Sequence, residues 1–455
     1  MFDTIAAIST AAGMAAIGVV RVSGKDSVKI LDSIFEPQSS FTDRKMYYGH
    51  IVYDNEVIDE VMVCVFYAPR SFTAEDMAEI YAHGGMYVLS RILDAVIKSG
   101  ARHAKPGEFT ERAFVNGRIN MTEAEAVMDI ISAKNDAARR HGVRQLGGSL
   151  TSRLTGIREK ILTWIAHIEL SIDYPEHEDE AKNAAVILKE APNLLEDMSE
   201  LLSTASVGRI IHSGIKTAIV GRPNVGKSTL LNSFLSENRA IVHEKPGTTR
   251  DVLTEEVRIG SLPIVLMDTA GIRKAADEVE FIGIERTYEA AADADLVLYI
   301  ADATVGLTDE DIEIIRQLPD KKTLLLYNKT DLISGCRQMP EPSVNIDVPA
   351  VICGEINISA KTGFGMSGLF DGLEGMFLSG INSSMDIITR DRHRALIEEA
   401  HVLLARAVDE LKRGVHEDLV SINLRLSYSK LGEILGVEIG DDIAEKIFSE
   451  FCVGK

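Results

Sequence analysis

The stretch that most constrains this chain is residues 221–228, which read G-R-P-N-V-G-K-S and match the phosphate-loop pattern G-x-x-x-x-G-K-[S/T]. An apolar run at 217–220 precedes it and predicts a buried strand, and helical spacing at 229–235 predicts a helix after it. In that setting the glycines let successive backbone N–H groups face phosphate oxygens. Lys227 is then expected to reach the β- and γ-phosphates and Ser228 to ligate Mg²⁺.

Three later motifs occur in the order expected of a guanine-nucleotide-binding domain. Residues 268–271, D-T-A-G, end an apolar run, so Asp268 is placed to hold the Mg²⁺ shell and the final glycine to sense a γ-phosphate. Residues 328–331, N-K-T-D, follow another strand-like run, and the Asp331 carboxylate suits the ring N–H and amine of guanine. Residues 359–361, S-A-K, are expected to close over the base. Together the four motifs resemble a translation-factor-class GTPase of the Ras-like fold.

Length, composition and charge set the broad class. A chain of 455 residues is too long for one core, since domains usually hold about 100–200 residues, so roughly two to four domains are expected. With 45% hydrophobic and 26% charged residues, the composition is typical of a globular protein. The net charge of −21 argues against a nonspecific nucleic-acid binder, so any RNA contact must use local basic clusters.

The cysteines and apolar runs indicate a compartment. The four cysteines show no C-x-x-C spacing, which argues against both a disulfide framework and a zinc site and fits a reducing cytosol. No apolar run approaches the roughly 18 residues of a membrane span, and Asp3 stands where a secretory signal would carry Lys or Arg. A cytoplasmic protein without a membrane contact is therefore expected.

The periodicity on either side of the GTPase motifs predicts further domains. Residues 1–118 read as mixed α/β, with a hairpin turn at 54–56 and polar turns such as S-F-T-A-E-D that read as simple loops. Helical spacing fills 119–212 and returns in 381–455, which predicts one helical domain interrupted by a GTPase domain at 213–380. The predicted fold class is a multidomain α/β plus all-α protein.

Two features mark the first helical segment. Thr122 and Glu125 fit a capping box, and the helix that they open is expected to be long. Arg139, Arg140 and Arg144 share its exposed side and could meet a phosphate backbone, although such a cluster is more often a solvated face.

Residues outside the four motifs resemble the MnmE (TrmE) family of tRNA modification GTPases over the whole chain. The similar stretches are V-R-V-S-G at 20–24, E-D at 75–76, H-G-G at 83–85, K-P-G-E-F at 105–109, G-T-T-R-D at 247–251, V-E-x-x-G-I-E-R at 279–286 and C-V-G-K at 452–455. The resemblance implies a GTPase domain set inside a helical domain, behind an N-terminal folate-binding domain that forms a homodimer.

The resemblance also implies a reaction. With an FAD-dependent partner of the GidA (MnmG) family, in an expected heterotetramer, such a protein adds a carboxymethylaminomethyl or aminomethyl group to C5 of the wobble uridine of certain tRNAs. The carbon is expected from a tetrahydrofolate derivative in its 5-formyl or methylene form, while FAD belongs to the partner. The folate contacts match Arg21, Glu79, Arg118 and Lys455. The family commonly has Lys where this chain has Arg118, which keeps the charge but changes the donor geometry.

The GTPase motifs lack one expected catalytic group. Ras-type enzymes orient the attacking water with a Gln after the D-x-x-G glycine, and here that residue is Ile272, which can neither donate nor accept. The resemblance implies that Asn224 helps to hold K⁺, whose charge would stabilise the β- and γ-phosphates, and that Glu280 orients the water. Without the resemblance, Glu280 reads as a solvated carboxylate.

The motifs and the resemblance together assign a large set of residues. The GTP-binding residues are Asn224, Val225, Gly226, Lys227, Ser228, Thr229, His243, Glu244, Lys245, Pro246, Gly247, Thr248, Thr249, Asp268, Thr269, Ala270, Gly271, Asn328, Lys329, Asp331, Ser359, Ala360 and Lys361. The Mg²⁺ ligands are Ser228 and Thr249, and the K⁺ ligands are Asn224, His243, Lys245 and Thr248. The catalytic residues are Glu280, Asn224 and Cys452.

The role of Cys452 and the function of the whole chain each have more than one interpretation. The Cys452 thiolate could attack C6 of the uridine, or Cys452 could only pack a terminal helix while Lys455 reaches the folate. A ribosome-assembly GTPase of the Era or Der type is the second candidate function, and a folate-dependent one-carbon enzyme regulated by its GTPase is the third. The acidic composition argues against the second, and neither explains the C-V-G-K tail.

Overall fold

The computed structural model describes residues 3–173, 180–237, 255–259, 262–267, 288–318, 320–333, 351–378, 386–438, 440–449 and 451–454. The chain forms two compact units. The first unit comprises residues 1–131, 142–198 and 395–455, and the second unit comprises residues 132–141 and 199–394. Each unit contains one β-sheet.

The secondary structure alternates between sheet regions and long helical runs. The strands are β1 (Ile5–Ile8), β2 (Ala15–Ser23), β3 (Phe35–Glu36), β4 (Met46–Tyr53), β5 (Glu56–Phe66), β6 (Met77–Gly84), β7 (Arg102–His103), β8 (Ile215–Val220), β9 (Glu255–Ile259), β10 (Leu262–Leu266), β11 (Leu296–Asp302), β12 (Lys322–Asn328) and β13 (Val351–Asn357). The helices are α1 (Ser27–Ile34), α2 (Met86–Lys98), α3 (Glu108–Val115), α4 (Met121–Ile131), α5 (Asp136–Leu146), α6 (Ser149–Asp173), α7 (Glu180–Ser203), α8 (Ala205–Ser213), α9 (Lys227–Glu237), α10 (Asp309–Gln317), α11 (Met366–Leu378), α12 (Asp391–Lys412), α13 (Glu417–Leu435) and α14 (Asp441–Ser449), with a short 3-10 helix at Thr330–Leu332.

The first unit is built on a seven-stranded sheet with the order β3-β4-β5-β6-β2-β1-β7. All neighbouring strands run antiparallel except β1 and β7. Leu89 and Ile92 of α2 and Leu31 of α1 pack in one buried cluster with the alternate strand residues Val20 and Ile80. Period-two alternation thus buries one face of the sheet beneath two amphipathic helices.

The turn between β4 and β5 follows the predicted hairpin. Asp54 and Asn55 have φ of 54° and 63°, which is the left-handed conformation that a two-residue hairpin turn requires. Asn and Asp tolerate this conformation better than other residues with a Cβ atom. The local sequence therefore sets the pairing next to the turn, and a bulge between Ile51 and Val52 then shifts the register.

The helical part of the first unit contains an antiparallel pair, α6 and α13. Ser171 donates to the Glu417 carboxylate near one end, and Arg158 donates to the Tyr428 carbonyl near the other. The Arg158 guanidinium also lies 4.0 Å from the centroid of the Tyr428 ring. These polar contacts flank a seam of buried aliphatic residues such as Leu424.

The start of the helical region differs from the prediction in two respects. The capping box is formed by Asn120 and Glu123 rather than Thr122 and Glu125: Asn120 Oδ1 accepts from the Glu123 N–H at 3.0 Å, and Glu123 Oε2 accepts from the Asn120 N–H at 3.0 Å. Thr122 and Glu125 are instead buried residues within α4. The single long helix is also wrong, because α4, α5 and α6 are separate. Asn135 caps α5 by accepting from the Ala138 N–H at 2.7 Å.

The second unit contains a six-stranded sheet with the order β13-β12-β11-β8-β10-β9. Only β9 runs antiparallel to its neighbour, so the carboxyl ends of the other five strands meet at one edge. The central strands are wholly buried runs, as expected when helices cover both faces of a parallel sheet. In such sheets ligands bind at the carboxyl edge, where the phosphate loop follows β8. Within the described ranges, no helix is long and apolar enough to cross a membrane.

Candidate functional site

The phosphate loop connects β8 to α9, as predicted. Gly221 has φ of 154°, and a Cβ atom there would lie 2.3 Å from the Ile300 carbonyl oxygen. Gly226 has φ of 106°, and a Cβ atom there would lie 2.2 Å from Asn328 Nδ2. Both positions therefore require glycine for a steric reason as well as a conformational one. The loop ends at the N-terminus of a helix, where N–H groups favour an anion.

Three polar side chains of the loop are predicted to contact phosphate or a cation. Lys227 Nζ donates to the carbonyls of Gly221 at 2.5 Å and Arg222 at 3.0 Å, so the lysine side chain curls over the loop. Asn224 is exposed and has φ of 62°, the left-handed conformation in which asparagine is enriched. Ser228, predicted to hold Mg²⁺, is exposed in the first turn of α9.

Asn328 joins the phosphate loop to the predicted guanine motifs. Its amide is buried, its Nδ2 donates to the Val225 carbonyl at 2.8 Å, and its Oδ1 accepts from the Ala360 N–H at 2.9 Å. Ser359 donates to Asp331 Oδ1 at 2.6 Å and thereby orients that carboxylate. The structure thus brings together residues that lie more than a hundred positions apart in the sequence.

Asp302, at the end of β11, is a neighbour of the site that the sequence analysis missed. Its Oδ2 accepts from Lys329 Nζ at 2.7 Å, and its Oδ1 accepts from the N–H and hydroxyl of Thr304. Burial alone would raise the pKa of Asp302, but the bonds from Lys329 and Thr304 hold that pKa below its ordinary value. The carboxylate stays charged and fixes the Lys329 ammonium beside the expected base.

Several predicted residues lie outside the described part of the chain. They are His243, Glu244, Lys245, Pro246, Gly247, Thr248, Thr249, Asp268, Thr269, Ala270, Gly271, Glu280 and Lys455.

A second cluster of predicted residues lies on the sheet of the first unit. Arg21 Nε donates to Glu79 Oε1 at 2.9 Å across the β2–β6 pair, and Tyr81 donates to Glu79 Oε2 at 2.5 Å. Burial, with the adjacent Glu79 carboxylate, raises the pKa of Tyr81, so the phenol stays a donor. Arg21 Nη1 is buried and has no hydrogen-bond partner within the described residues. An orphaned guanidinium nitrogen of this kind fits an acceptor supplied by a ligand.

Phe72 connects Arg21 to the third predicted folate residue, Arg118. The Arg21 guanidinium lies 5.0 Å from the centroid of the Phe72 ring, and that of Arg118 lies 5.1 Å from it. Arg118 Nη1 also donates to the Phe72 carbonyl at 2.7 Å. Arg118 lines a cavity of ≈ 330 Å³ together with Phe114 and Val437. Two of the four predicted folate residues thus lie beside one aromatic ring, and a third, Glu79, is paired with Arg21.

A buried arginine, Arg112, contacts the loop that carries Phe72. Arg112 is almost fully buried, and its Nη1 lies 3.1 Å from Glu75 Oε2 and donates to the Asp3 carbonyl at 2.7 Å. Arg112 Nη2 donates to Glu108 Oε1 at 3.0 Å. A charge this deeply buried is tolerated only when it is paired, so the network rigidifies the loop.

The C-terminal tail docks against the first unit. The Gly107 N–H donates to the Cys452 carbonyl at 3.3 Å, and Ser9 donates to the Gly454 carbonyl at 3.1 Å. A Cβ atom on Gly454 would lie 2.4 Å from the Ile8 carbonyl oxygen, so glycine is required there. Cys452 itself is exposed, and the buried residue at this point is Phe451.

The comparisons with known proteins cover the whole chain. The family model described as "GTP-binding protein TrmE N-terminus" matches residues 4–118, and the "MnmE helical domain" model matches residues 121–452. A tRNA modification GTPase MnmE from Lactococcus lactis subsp. cremoris is 43% identical over 459 residues, which is 100% of this chain and 99% of the relative. MnmE proteins from Desulforamulus reducens and Finegoldia magna are each 42% identical over 100% of this chain and 99% and 100% of their own lengths.

This chain belongs to the MnmE family of tRNA modification GTPases. The predicted family resemblance, the multidomain fold class and the prediction of a GTP-hydrolysing enzyme are thereby confirmed.

Two remaining features of this MnmE-family chain concern charge. Arg139 and Arg140 both pair with Asp136 on α5, as a solvated face would. Among the residues that the structure describes, no group of three or more His, Cys, Asp or Glu side chains is arranged to hold a metal ion.

Proposed function

We propose that this chain, acting with an FAD-dependent partner of the GidA (MnmG) type, adds a carboxymethylaminomethyl or aminomethyl group to C5 of the wobble uridine of certain tRNAs. Membership of the MnmE family over the full length supports the proposal. GTP hydrolysis in the second unit would be coupled to this reaction. A cytoplasmic location, which fits the scattered cysteines, is part of the proposal.

The single observation that carries the folate part of the proposal is the buried, unpartnered Nη1 atom of Arg21. The same guanidinium contacts the Glu79 carboxylate through its Nη2 and Nε atoms, so the site offers donors and acceptors side by side. A pterin edge presents ring N–H groups and a carbonyl, and the folate tail adds carboxylates. Glu79 would accept from the N–H groups, while Arg21, Arg118 and Lys455 would donate to carbonyl or carboxylate oxygens. When bound, a tetrahydrofolate derivative in its 5-formyl or methylene form supplies the one-carbon unit.

Cys452 is the proposed nucleophile. Its side chain is exposed, and the carbonyls of Cys452 and Gly454 accept hydrogen bonds from Gly107 and Ser9, which hold the backbone in place. A thiolate adding to C6 of the uridine would make C5 nucleophilic, and it would leave again once C5 has gained its substituent and lost its proton. Phe451 rather than Cys452 is the buried side chain at this point, which argues against a purely structural role for the cysteine.

The GTPase site supports a cation-assisted hydrolysis. We propose that Mg²⁺ is held by Ser228 and Thr249. K⁺ would be held by Asn224 with the segment that contains His243, Lys245 and Thr248. The exposed Asn224 side chain on a left-handed residue is the structural support, since its oxygen is available for a ligand. Glu280 would orient the attacking water in place of the glutamine that Ile272 replaces.

We further propose that the first unit forms the homodimer and that two copies assemble with the FAD partner into a heterotetramer. The face of the sheet opposite the helices carries exposed apolar side chains in register: Tyr48 is 62% exposed and lies opposite Met62, which is 44% exposed. A contiguous apolar stripe of this kind is typical of an interaction surface. Light scattering that shows a monomer at micromolar concentration would contradict the dimer.

Reconstitution from purified components tests the proposed reaction. The full chain, the FAD partner, GTP, unmodified tRNA and a tetrahydrofolate derivative with an isotopically labelled one-carbon unit are combined, and the tRNA is digested to nucleosides. Label is expected in the wobble uridine only when both proteins are present. Label that appears without this chain, or that never enters the tRNA, would contradict the proposal. An Era-type or Der-type GTPase would leave the tRNA unlabelled.

A further inference from the structure

Arg222 occupies a variable position of the phosphate-loop motif, so the chemistry of the motif leaves it without a role. In the structure its Nε atom lies 2.9 Å from Asp311 Oδ1, and its Nη1 atom lies 3.7 Å from Glu310 Oε2. The side chain is only 20% exposed, although surface arginines usually keep the guanidinium in water. The geometry therefore ties the loop to the first turn of α10.

Asp311 is a fixed partner rather than a mobile surface carboxylate. It is fully buried, and its Oδ2 accepts from the N–H and hydroxyl of Thr308 at 2.9 and 2.7 Å in a capping box. Its Oδ1 also accepts from the Tyr299 hydroxyl at 2.8 Å. Burial by itself would raise the pKa of Asp311, but hydrogen bonds from Thr308, Arg222 and Tyr299 hold that pKa below its ordinary value.

Lys227 also contacts the phosphate loop, at its backbone. Lys227 Nζ donates to the carbonyls of Gly221 and Arg222. The same ammonium is the group that binds the β- and γ-phosphates in phosphate-loop enzymes. When GTP draws this ammonium away, those two carbonyls lose a donor. The contacts of the Arg222 guanidinium with Asp311 and Glu310 then still connect the first turn of the loop to α10.

We infer that Arg222 is a positioning residue for GTP binding: through Asp311 it anchors the first turn of the phosphate loop in the shape that receives the phosphates. The inference rests on the GTPase activity of the family and is independent of the tRNA and folate chemistry proposed above. A preformed loop favours bound GTP and the transition state equally. Its loss is therefore expected to change nucleotide affinity and KM more than kcat.

The test is Arg222→Met, which keeps the length of the stem but removes the guanidinium. Loss of this largely buried ion pair predicts GDP dissociation about tenfold faster and a KM for GTP about tenfold higher, with kcat changed by less than about threefold. Arg222→Lys is expected to recover part of the affinity, because an ammonium retains the charge without the planar fork of donors. Dissociation of a fluorescent GDP analogue from the full chain gives the rate directly.

Arg316→Met is the matched control, since Arg316 is exposed on the same helix, α10, and should leave GDP dissociation unchanged. Thermal unfolding of the nucleotide-free chain separates a role of Arg222 in nucleotide binding from a purely structural role. A lowered Tm with unchanged GDP dissociation would make Arg222 merely structural and overturn the inference.

A double substitution tests the route through Asp311. In an Asp311→Asn background, Arg222→Met should speed GDP dissociation by less than a further factor of about two. If that background does not fold, Tyr299→Phe, which removes one donor to the same carboxylate, should speed GDP release. If the effects of the two substitutions on GDP dissociation are fully additive in either background, Arg222 does not act through Asp311 and the inference is overturned.

Discussion

Asn328 and Val225 are joined by a hydrogen bond of 2.8 Å from the Asn328 amide to the Val225 carbonyl. The same side chain accepts from the Ala360 N–H, so one buried amide spans the phosphate loop and both base-recognition segments. The segments predicted to bind phosphate and guanine are consequently linked through one side chain. A change in the side chain of Asn328 reaches all three segments.

Asn328→Ala should therefore weaken GDP binding and destabilise the second unit together. The change leaves the Val225 carbonyl and the Ala360 N–H buried without their partner, and each unsatisfied group costs about 1–3 kcal/mol. Urea unfolding of the nucleotide-free chain and titration with GDP measure the two effects. Asn232→Ala, at an exposed position of α9, is the control and should change neither quantity. An Asn328→Ala variant with native GDP affinity would contradict the coupling.

GTP turnover should depend on potassium, because Ile272 offers no group to orient water and Asn224 offers an oxygen to a cation. Removal of one charge-stabilising group typically costs about 10²–10³ in kcat, so turnover in KCl should exceed that in NaCl by roughly tenfold or more. Sodium is too small to reach the same oxygens.

The potassium effect should disappear in Asn224→Gly. Glycine accepts the φ of 62° found at this position, so the variant removes the side-chain oxygen without imposing backbone strain. Equal turnover of the wild type in the two salts at matched ionic strength would show that the cation hypothesis is wrong.

Glu280→Ala should separate GTP binding from hydrolysis. The residue lies beyond the motifs that cradle the nucleotide, so GTP affinity should stay close to native while turnover slows by about 10²-fold, a typical loss when a group that acts on the attacking water is removed. Single-turnover hydrolysis measured beside nucleotide titration distinguishes the two quantities. Near-native turnover would show that Glu280 is only a surface carboxylate with no part in hydrolysis.

Arg21→Met should weaken binding of a tetrahydrofolate derivative by about tenfold or more while GTP turnover stays unchanged. The substitution removes both the ion pair to Glu79 and the unpartnered donor Nη1. Calorimetric titration of the full chain measures the affinity. Arg91→Met is the matched control, because Arg91 forms only an exposed ion pair with Glu56 on the same unit. An unaltered folate affinity in Arg21→Met would rule out this cluster as the folate site.

Cys452→Ser should abolish tRNA modification and leave folding, GTP turnover and folate affinity intact, since the change is almost isosteric but removes the thiolate. Cys353→Ser, which replaces an exposed cysteine of the second unit, should retain full modification. A Cys452→Ser variant that restores modified tRNA to the wild-type level in a deletion strain would exclude the nucleophile.

Strands β8, β10 and β12 of the second unit followed from the sequence because each is a short apolar run that precedes a recognisable motif. The start of α4 did not, because N-M-T-E-A-E contains two overlapping matches to the capping pattern, at Asn120 and at Thr122. Burial decided between them: Thr122 and Glu125 face the interior, where they cannot serve the helix end. Overlapping local patterns of this kind are resolved only by tertiary packing.

Other features depend on contacts between distant positions. The break before α5 is stabilised by Asn135, whose amide donates to the Ile211 carbonyl 76 positions away at 3.0 Å. Phe72 lay in a stretch that reads as an ordinary polar loop, and only the fold places its ring between Arg21 and Arg118. Asp311 reads as a helix-start carboxylate, and its pairing with the phosphate loop has no local signal.

The most direct test of the central claim is mass analysis of the wobble nucleosides in tRNA from a strain that lacks this protein. The account predicts that the C5-substituted uridine disappears from the affected tRNAs and returns when the wild-type chain is supplied. The same tRNAs with an unchanged content of the substituted uridine in the deletion strain would contradict the account.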